Sequence, residues 1–319
     1  MKKNILIVGI AFVSLIVYFW GQKEENSDIE KLKNSDKVAG ISNPKKTKKE
    51  IVKTTPIDNR IDELTNKILD KKISFLERTK YILKLRNKRL SFSDERALMD
   101  HIKKVHLDEP HTITNDIIEH LVRFGSNKKA VGSTLLNILN NSLQDRVVRE
   151  YALQYVPEFY QKRWETGETW NDTEELDRQK FNKALWELTT LSEGSMAGGA
   201  LFALYKLSGK YSDIESNDVF DKSHEIVGDI SYMTPNRMAA VQILAFSKNE
   251  EFFDTAKNIV LDKNSPVLLR VTAMHTASQS KFVDDEFVNY LNKISTGEVN
   301  SNPTIKKCAN LTLKKLRRY

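Results

Sequence analysis

The sequence contains very little cysteine, and this scarcity limits the chemistry that the chain can perform. Cys308 is the only cysteine among 319 residues, so the chain forms no intramolecular disulfide and no metal cluster held by several thiolates. Cys308 lies on the apolar stripe of the last predicted helix. We therefore expect a buried, inert thiol.

The chain also lacks the short motifs that mark common active sites. It has no glycine-rich phosphate loop, no zinc-protease helix motif and no paired-cysteine motif. Ser195 lies in the segment EGSMAGG, but Glu193 and Ala197 occupy the positions where a nucleophile elbow has glycine, so we interpret Ser195 as a helix cap. We therefore predict that the protein is not an enzyme and that it binds no cofactor, no metal and no small-molecule substrate.

Four histidines raise the alternative of a metal site, but their spacing argues against it. They are His101, His106, His111 and His120, at intervals of five, five and nine residues. Ligands on one face of a helix recur every three or four residues instead. The sequence therefore predicts ordinary surface histidines.

The excess of positive charge is confined to the two ends of the chain. The formal net charge is +7, of which residues 1–58 carry +4 and residues 299–319 carry +6, so the middle of the chain is slightly acidic. A basic patch across a folded domain would indicate a nucleic-acid partner, whereas charge at the ends does not. We therefore predict no nucleic-acid binding; a basic tail that binds nucleic acid stays open only for a cytoplasmic chain.

An uncharged apolar run near the amino terminus predicts a membrane segment. Lys2 and Lys3 precede 17 uncharged residues, 4–20, which as a helix span roughly 25 Å, slightly less than the ~30 Å hydrocarbon core. The run ends in the aromatic residues 18–20, which suit a membrane interface better than a signal-peptidase site. We predict an uncleaved signal anchor or transmembrane helix at residues 1–21; a cleaved signal peptide and a buried soluble helix are the alternatives.

The segment after this run predicts a tether on the far side of the membrane. The lysines before the run should stay cytoplasmic, because basic flanks of a membrane helix are retained there. Residues 22–58 are rich in Lys, Glu, Asn, Ser and Thr and show no apolar periodicity, so they bury too little apolar surface to fold. We therefore predict a single-pass protein with a flexible, lysine-rich linker at 22–58. Its domain at 59–319 would be extracytoplasmic, and periplasmic in a Gram-negative cell.

One helical phrase recurs three times in the last part of the chain. The copies read TPNRMAAVQILAFS from Thr234, SPVLLRVTAMHTAS from Ser265 and NPTIKKCANLTLKKL from Asn302. Each opens with a Ser, Thr or Asn that can cap a helix, followed by a proline at the first helical position. The alanines inside the three apolar stripes are 33 and 36 residues apart (Ala240, Ala273, Ala309). This period predicts stacked pairs of antiparallel helices, an α-solenoid.

A further segment carries a resemblance to a known family. The phrase DRVVREYALQYV, from Asp145 to Val156, resembles the DxxVRxxAxxAL phrase of HEAT repeats, and Arg270 and Ala273 match the same pattern. The resemblance covers roughly residues 128–318. It implies an all-α, HEAT-like solenoid in which the Asp and the Arg tie adjacent repeats together, and it implies surfaces that serve docking and scaffolding.

The spacing of apolar residues predicts helices from residue 59 onward and no alternating β pattern. We expect the recurring phrase to form the first helix of each pair. The helix at 195–207 belongs to this set, and its small residues 197–200 should bring it unusually close to a neighbour. The second helices of the pairs are expected at 219–230, 249–262 and 283–295.

A polar insertion contains the candidate binding residues. Residues 161–173, QKRWETGETWNDT, form a longer loop than the turns elsewhere and include Trp164 and Trp170. Large, rigid side chains on a loop of a rigid scaffold commonly bind partners, although the same tryptophans can fold back over their own helix pair. Arg146 and Arg163 flank the region and suit an acidic or carbohydrate partner.

These features favour a membrane-anchored, exported helical-repeat scaffold that mediates protein–protein interaction in the cell envelope. Stacked helix pairs leave an extended concave surface on which a segment of a partner protein can lie. The alternative is a protein or enzyme that binds an envelope polymer, carbohydrate or peptidoglycan, through the 161–173 loop.

Overall fold

The structure is a computed structural model, and it describes residues 62–85, 90–104, 110–164, 172–192, 194–299 and 302–317. The predicted anchor at 1–21 and the predicted linker at 22–58 lie outside these ranges. Within them, no helix combines the length and the apolar character that crossing a membrane requires.

Every regular element in the described ranges is an α-helix, so the all-α prediction is confirmed. The helices are α1 (Glu63–Leu69), α2 (Phe75–Leu85), α3 (Phe92–Lys103), α4 (His111–Phe124), α5 (Lys128–Asn140), α6 (Arg146–Arg163), α7 (Asp172–Leu188), α8 (Met196–Leu207), α9 (Ser216–Gly228), α10 (Thr234–Leu244), α11 (Glu250–Leu261), α12 (Val267–Ala277), α13 (Asp285–Thr296) and α14 (Pro303–Leu316).

The even-numbered helices form one continuous layer. Helix α2 packs against α4, α4 packs against α6, and the series continues through α8, α10 and α12 to α14. Each odd-numbered helix packs on the even-numbered helix that follows it, from the pair α1 and α2 to the pair α13 and α14. The odd helices therefore cover one side of the even layer; the other side is called the open face below. This repeat-like arrangement fits an α-solenoid of stacked helix pairs.

The order of helices within each pair differs from the prediction. The Thr234 phrase forms helix α10. This helix packs closely on the preceding α9 and only lightly on the following α11. Helices α8, α12 and α14 also pack on the helix before them. The phrase therefore forms the second helix of each pair, and the prediction that it forms the first was wrong.

A recurring hydrogen bond explains this order. In four pairs, an arginine in the first turn of the even helix donates to the carbonyl oxygen ten residues earlier, in the last turn of the odd helix. The donor–acceptor distances lie between 2.6 and 3.2 Å (Arg78 to Ile68, Arg149 to Leu139, Arg237 to Val227, Arg270 to Val260). Carbonyls at a helix end have no intrahelical partner, so each arginine satisfies one of them and closes its own hairpin.

The turns of these four hairpins also share one conformation. An Asp or Asn stands eight residues before each arginine. Its side chain accepts a hydrogen bond from the backbone N–H two residues further on (Asp70, Asn141, Asp229, Asp262). Asx turns of this kind fix the direction in which the chain leaves one helix and enters the next.

The resemblance implied that Asp145 and Arg149 connect adjacent repeats, and only Asp145 does so. Arg149 bonds within its own pair, to Leu139. Asp145 caps α6 by accepting from the backbone N–H groups of Val147 and Val148 at 2.8 and 3.4 Å. Its carboxylate also lies 3.3 Å from Nε2 of His111, in the preceding pair.

Small residues fill the seam between neighbouring pairs, as predicted. The alanines of the phrase are fully buried (Ala152, Ala200, Ala240, Ala273, Ala309). Gly198 in α8 donates its backbone N–H to the buried side chain of Asn236, at the start of α10, over 2.9 Å. Cys308 is half-buried, and burial raises the pKa of its thiol, so the thiolate is disfavoured.

Asp145 gives a first testable prediction for the fold. Replacing it with alanine removes the side-chain acceptor at the start of α6, and we expect the free energy of unfolding to fall by about 1 kcal/mol. Asp145→Asn keeps an acceptor and should lose much less. Urea denaturation of the full-length chain measures both, and equal losses would show that the charge near His111 matters more than the cap.

Candidate interaction surface

The open face carries facing rows of charged side chains where α4 and α6 lie side by side. Arg123 of α4 is within 3.1 Å of Glu158 of α6, and it also pairs with Glu119 one turn earlier on its own helix. Lys162 of α6 lies 3.2 Å from Glu158 and donates to the carbonyl oxygen of Arg123 over 3.4 Å. These contacts join the ends of the two helices.

Two side chains near these contacts, Arg123 and Tyr155, keep their ordinary protonation states near neutral pH. Burial lowers the pKa of Arg123, but its hydrogen bond to Glu158 and the attraction of both carboxylates outweigh burial, so the pKa is raised overall. Burial and the nearby Glu119 raise the pKa of the Tyr155 phenol well above its usual value. Tyr155 therefore stays a hydrogen-bond donor and does not act as a base near neutral pH.

Five cations gather at the end of the even layer where α4, α6 and α8 finish. We call them the basic rim (Arg123, Lys128, Lys162, Lys206 and Lys210). Three of them occupy the penultimate position of α4, α6 and α8, respectively (Arg123, Lys162, Lys206). The other two are the first residue of α5 and a residue just beyond α8 (Lys128, Lys210).

Charged neighbours affect the pKa values of two lysines of the rim. Burial lowers the pKa of Lys128, and the neighbouring Lys162 lowers it further, against the attraction of Glu95 and Glu158. Burial also lowers the pKa of Lys206, with an added contribution from Lys210 and an opposing one from Glu158. Neighbouring cations thus repel Lys128 and Lys206, whereas Glu158 attracts both.

An aromatic stack connects α8 to the segment just after α10. Tyr205, next to Lys206 in α8, stacks face to face on Phe246, just beyond α10, with ring centroids 4.6 Å apart and an interplanar angle of 9°. Phe246 remains 49% exposed. Large exposed aromatic rings are typical contact residues of protein interfaces.

The described ranges contain no candidate metal centre. No group of three or more His, Cys, Asp and Glu side chains there could hold a metal ion. A surface crevice of 380 Å³ is lined by Lys210 and other residues between Gly209 and Asn217, in the loop after α8 and the start of α9. Its lining is mainly polar, unlike the apolar pockets that usually enclose small ligands.

Comparisons with known proteins give little further information. No protein-family model matches the chain, and no curated protein matches it either. Among solved structures, human deoxyhypusine hydroxylase in complex with glycerol is similar over 80% of this chain and 95% of its own, at 11% identity and a TM-score of 0.30. A likeness this low carries no argument about activity.

Trp164 does not form an exposed binding surface. Its side chain is 2% exposed, and its ring packs edge-on against Phe159, Tyr160 and Phe181 at centroid distances of 4.8 to 6.0 Å. Its carbonyl oxygen accepts a hydrogen bond from the Tyr211 hydroxyl at 2.6 Å. Of the two alternatives that the sequence left open, Trp164 follows the one in which it folds back over its own helices.

A polar network near Trp164 connects the helices on the two sides of the 161–173 insertion. The Tyr160 hydroxyl donates to Asn182 over 3.0 Å. Asn182 and Arg178 both donate to Asp213, and Arg178 also binds Glu175 at 2.7 Å. These contacts tie α6 and α7 to the loop after α8, so the base of the insertion is part of the packed structure.

The other predicted site residues are not brought together. Arg146 and Arg163 are the first and last residues of the 18-residue α6, about 26 Å apart at 1.5 Å per residue. Arg146 lies 3.5 Å from Glu150, and the guanidinium of Arg163 lies 5.6 Å from the Trp164 ring. Trp170 lies outside the described residues. The two arginines therefore do not share one compact site, and a binding role for either of them stays a prediction.

The residues that sequence reasoning missed are those of the rim and the stack. Arg123, Lys162 and Lys206 occupy equivalent helix positions, but no letter around them is common to all three phrases. The near-neutral middle of the chain also hides a local excess of cations. The sequence does show a basic residue in the last turn of three successive even helices. The same pattern is expected from the general preference for cations at helix C-termini, so it does not by itself indicate a binding surface.

Proposed function

We propose that this protein is a HEAT-like α-solenoid that binds a segment of another protein on the open face of its even layer. The observation that carries the proposal is the face itself: consecutive packed helices present ion-paired rows on a side that the odd helices leave uncovered. Extended surfaces of this kind are the binding sites of helical-repeat proteins.

We further propose that the chain works as a single-pass, membrane-anchored scaffold outside the cytoplasm. The support is the sequence: two lysines, a 17-residue uncharged run and a polar linker precede the helical domain. A reporter active only outside the cytoplasm, fused after Tyr319, should be active, and an inactive reporter would contradict the proposed location.

One of the two tryptophans on which the envelope-polymer alternative depends is not accessible to a ligand. It required the tryptophans of the 161–173 loop at the surface, and Trp164 is buried. The alternative now depends on Trp170 alone, so the protein-binding scaffold is the better-supported proposal.

Site-specific crosslinking tests the proposed face. A photoreactive phenylalanine analogue at Gln154, exposed on α6 next to Glu158, should give discrete adducts with a partner protein in intact cells. The matched control is the same analogue at Lys183, whose side chain is 78% exposed on the odd helix α7. Adducts from Lys183 but not from Gln154, or from neither, would count against a partner on the open face.

A further inference from the structure

The turns inside three consecutive helix pairs lie side by side and form one edge of the domain. We call this the turn edge (residues 141–145, 189–192 and 229–233). The backbone N–H of Met233, after α9, donates to the carbonyl oxygen of Ser192, after α7, over 3.0 Å. A Cβ added at Gly194, just before α8, would lie 2.9 Å from Cδ of Arg146, at the start of α6. The three turns are therefore neighbours in space.

Each turn of this edge exposes a large apolar side chain. Leu143 is 82% exposed and Ile230 is 86% exposed, more than any other large hydrophobic residue in the described ranges. Leu191 and Met233, on the same turns or between them, are 37% and 49% exposed. A single exposed leucine needs no explanation. A row of them at turns, where small and polar residues are usual, indicates a contact that removes these side chains from water.

The charge of the equivalent turns shows that this contact is mainly apolar. Exposed lysines stand at the tips of the α1–α2 and α11–α12 turns (Lys71, Lys72, Lys263). The aspartates of the Asx turns carry an equal number of negative charges, and each accepts a backbone N–H (Asp70, Asp229, Asp262). The charges at the tips therefore balance, so a polyanion or a polycation gains little by binding there.

The spacing of the tips favours a lipid surface over a protein. Packed helices lie roughly 8–10 Å apart, so the exposed side chains of successive pairs form a row of separate points. A second copy or another protein needs about 800 Å² of continuous surface on each partner for a stable interface. A bilayer accepts separate points, because each apolar side chain enters the boundary between head groups and acyl chains individually.

We propose that the turn edge lies on a lipid bilayer, with Leu143 and Ile230 inserted between the head groups and the acyl chains. This proposal rests on the proposed membrane anchor, which would keep the helical domain near a bilayer and raise the effective concentration of the edge there. The turn edge and the open face are different sides of the domain. A protein partner can therefore occupy the open face while the edge contacts lipid.

Fluorescence quenching by lipid tests the proposal in the full-length chain. Leu143→Cys and Ile230→Cys, each combined with Cys308→Ser, are labelled with a nitrobenzoxadiazole dye and reconstituted into phosphatidylcholine vesicles. Both labels should show blue-shifted emission and quenching by phosphatidylcholine with a nitroxide near its head group, since apolar residues at an interface lie roughly 5–10 Å deep. Added anionic lipid should change the quenching little, because the charges at the tips balance.

Two exposed leucines away from the turn edge provide matched controls. Leu176 is 53% exposed near the start of α7, and Leu311 is 58% exposed in the second half of α14. Labels at Leu176→Cys and Leu311→Cys should be quenched about threefold less than labels at the tips. Ile230→Asp should weaken quenching of the label at residue 143 by about twofold or more, because a carboxylate opposes insertion of the edge. Leu176→Asp should leave it unchanged.

The outcomes separate this proposal from the proposed function. Equal quenching at all four positions, or none at the tips, would overturn the edge proposal. A blue shift at the tips without quenching by lipid would assign the edge to a protein instead. An active reporter after Tyr319 together with unquenched tips would leave the anchored scaffold standing while the edge proposal fails. Quenched tips with an inactive reporter would support the edge and contradict the location outside the cytoplasm.

Discussion

Replacement of Arg270 with alanine is expected to lower the free energy of unfolding by about 3 to 4 kcal/mol. Arg270 is 1% exposed, and its Nε and Nη2 atoms donate to the Val260 carbonyl oxygen over 3.2 and 2.9 Å. Alanine would leave that carbonyl buried without its partner and would leave a cavity where the long side chain now packs. Water cannot easily enter, because the surrounding residues are buried.

The equivalent arginines serve as matched controls. Arg149 and Arg237 make the same bond to the preceding helix but are half-exposed, so water can replace the guanidinium. Their alanine variants should lose about 1 to 2 kcal/mol each. Urea denaturation of the full-length chain, followed by circular dichroism, compares the three. A loss at Arg270 no larger than at Arg237 would show that the hairpin bond, and not its burial, sets the stability.

The hairpin bond also shows which parts of the fold could be read from sequence. Arg149 and Arg270 lie in the phrases that resembled HEAT repeats, and their helices, buried alanines and repeat spacing were predicted. Arg78 makes the same hydrogen bond in a segment that does not resemble the HEAT phrase. The bond requires only an arginine at the correct distance from a helix end. The signal common to all four was the Asp or Asn eight residues before the arginine.

Helix caps were predicted less well, because a serine hydroxyl can bond either to the helix backbone or to a nearby carboxylate. Asn302 caps α14 as predicted, accepting from the N–H groups of Thr304 and Ile305. Ser265 was expected to cap α12, but its hydroxyl donates to Asp262 over 2.7 Å instead, within the Asx turn. Ser195 occupies the cap position of α8, yet its hydroxyl bonds to Glu150 on α6. In both cases a carboxylate outcompetes the backbone. Asp262 is close to Ser265 in sequence, whereas Glu150 approaches Ser195 only in the folded chain.

The candidate surface was hardly predictable, for a similar reason. Trp164 is buried by Phe181 and Tyr211, residues that follow it by more than a helix turn and approach it only after α7 and α8 have packed. The rim exists because the even helices end side by side, which aligns residues nearly forty positions apart in sequence, such as Arg123 and Lys162. Periodicity within one helix contains no information about that alignment.

Gly198 provides the second large effect, through the close approach of α8 and α10. A Cβ atom at this position would lie 2.6 Å from the Cβ of Ala239 and 3.4 Å from the Cα of Asn236. Gly198 also donates its N–H to Asn236, whose side chain is fully buried and donates in turn to Ser192 over 3.0 Å. The Cβ of Ala239 and the Cα of Asn236 are fixed to the backbone of α10, so neither atom can move away by a side-chain rotation.

Gly198→Ala should therefore lower the free energy of unfolding by about 2 to 3 kcal/mol, although alanine favours helix formation by roughly 1 kcal/mol over glycine. Two glycines in the same chain separate the contributions. A Cβ at Gly199 would approach only the end of the flexible Leu153 side chain, at 2.9 Å, and Gly199→Ala should be nearly neutral. At Gly228 the space within 4 Å is open, so Gly228→Ala should gain up to about 1 kcal/mol. Thermal denaturation of the full-length chain compares the three variants. If Gly198→Ala were as stable as Gly228→Ala, α8 and α10 could move apart without a loss of stability. The close contact between these two helices would then not stabilise the fold.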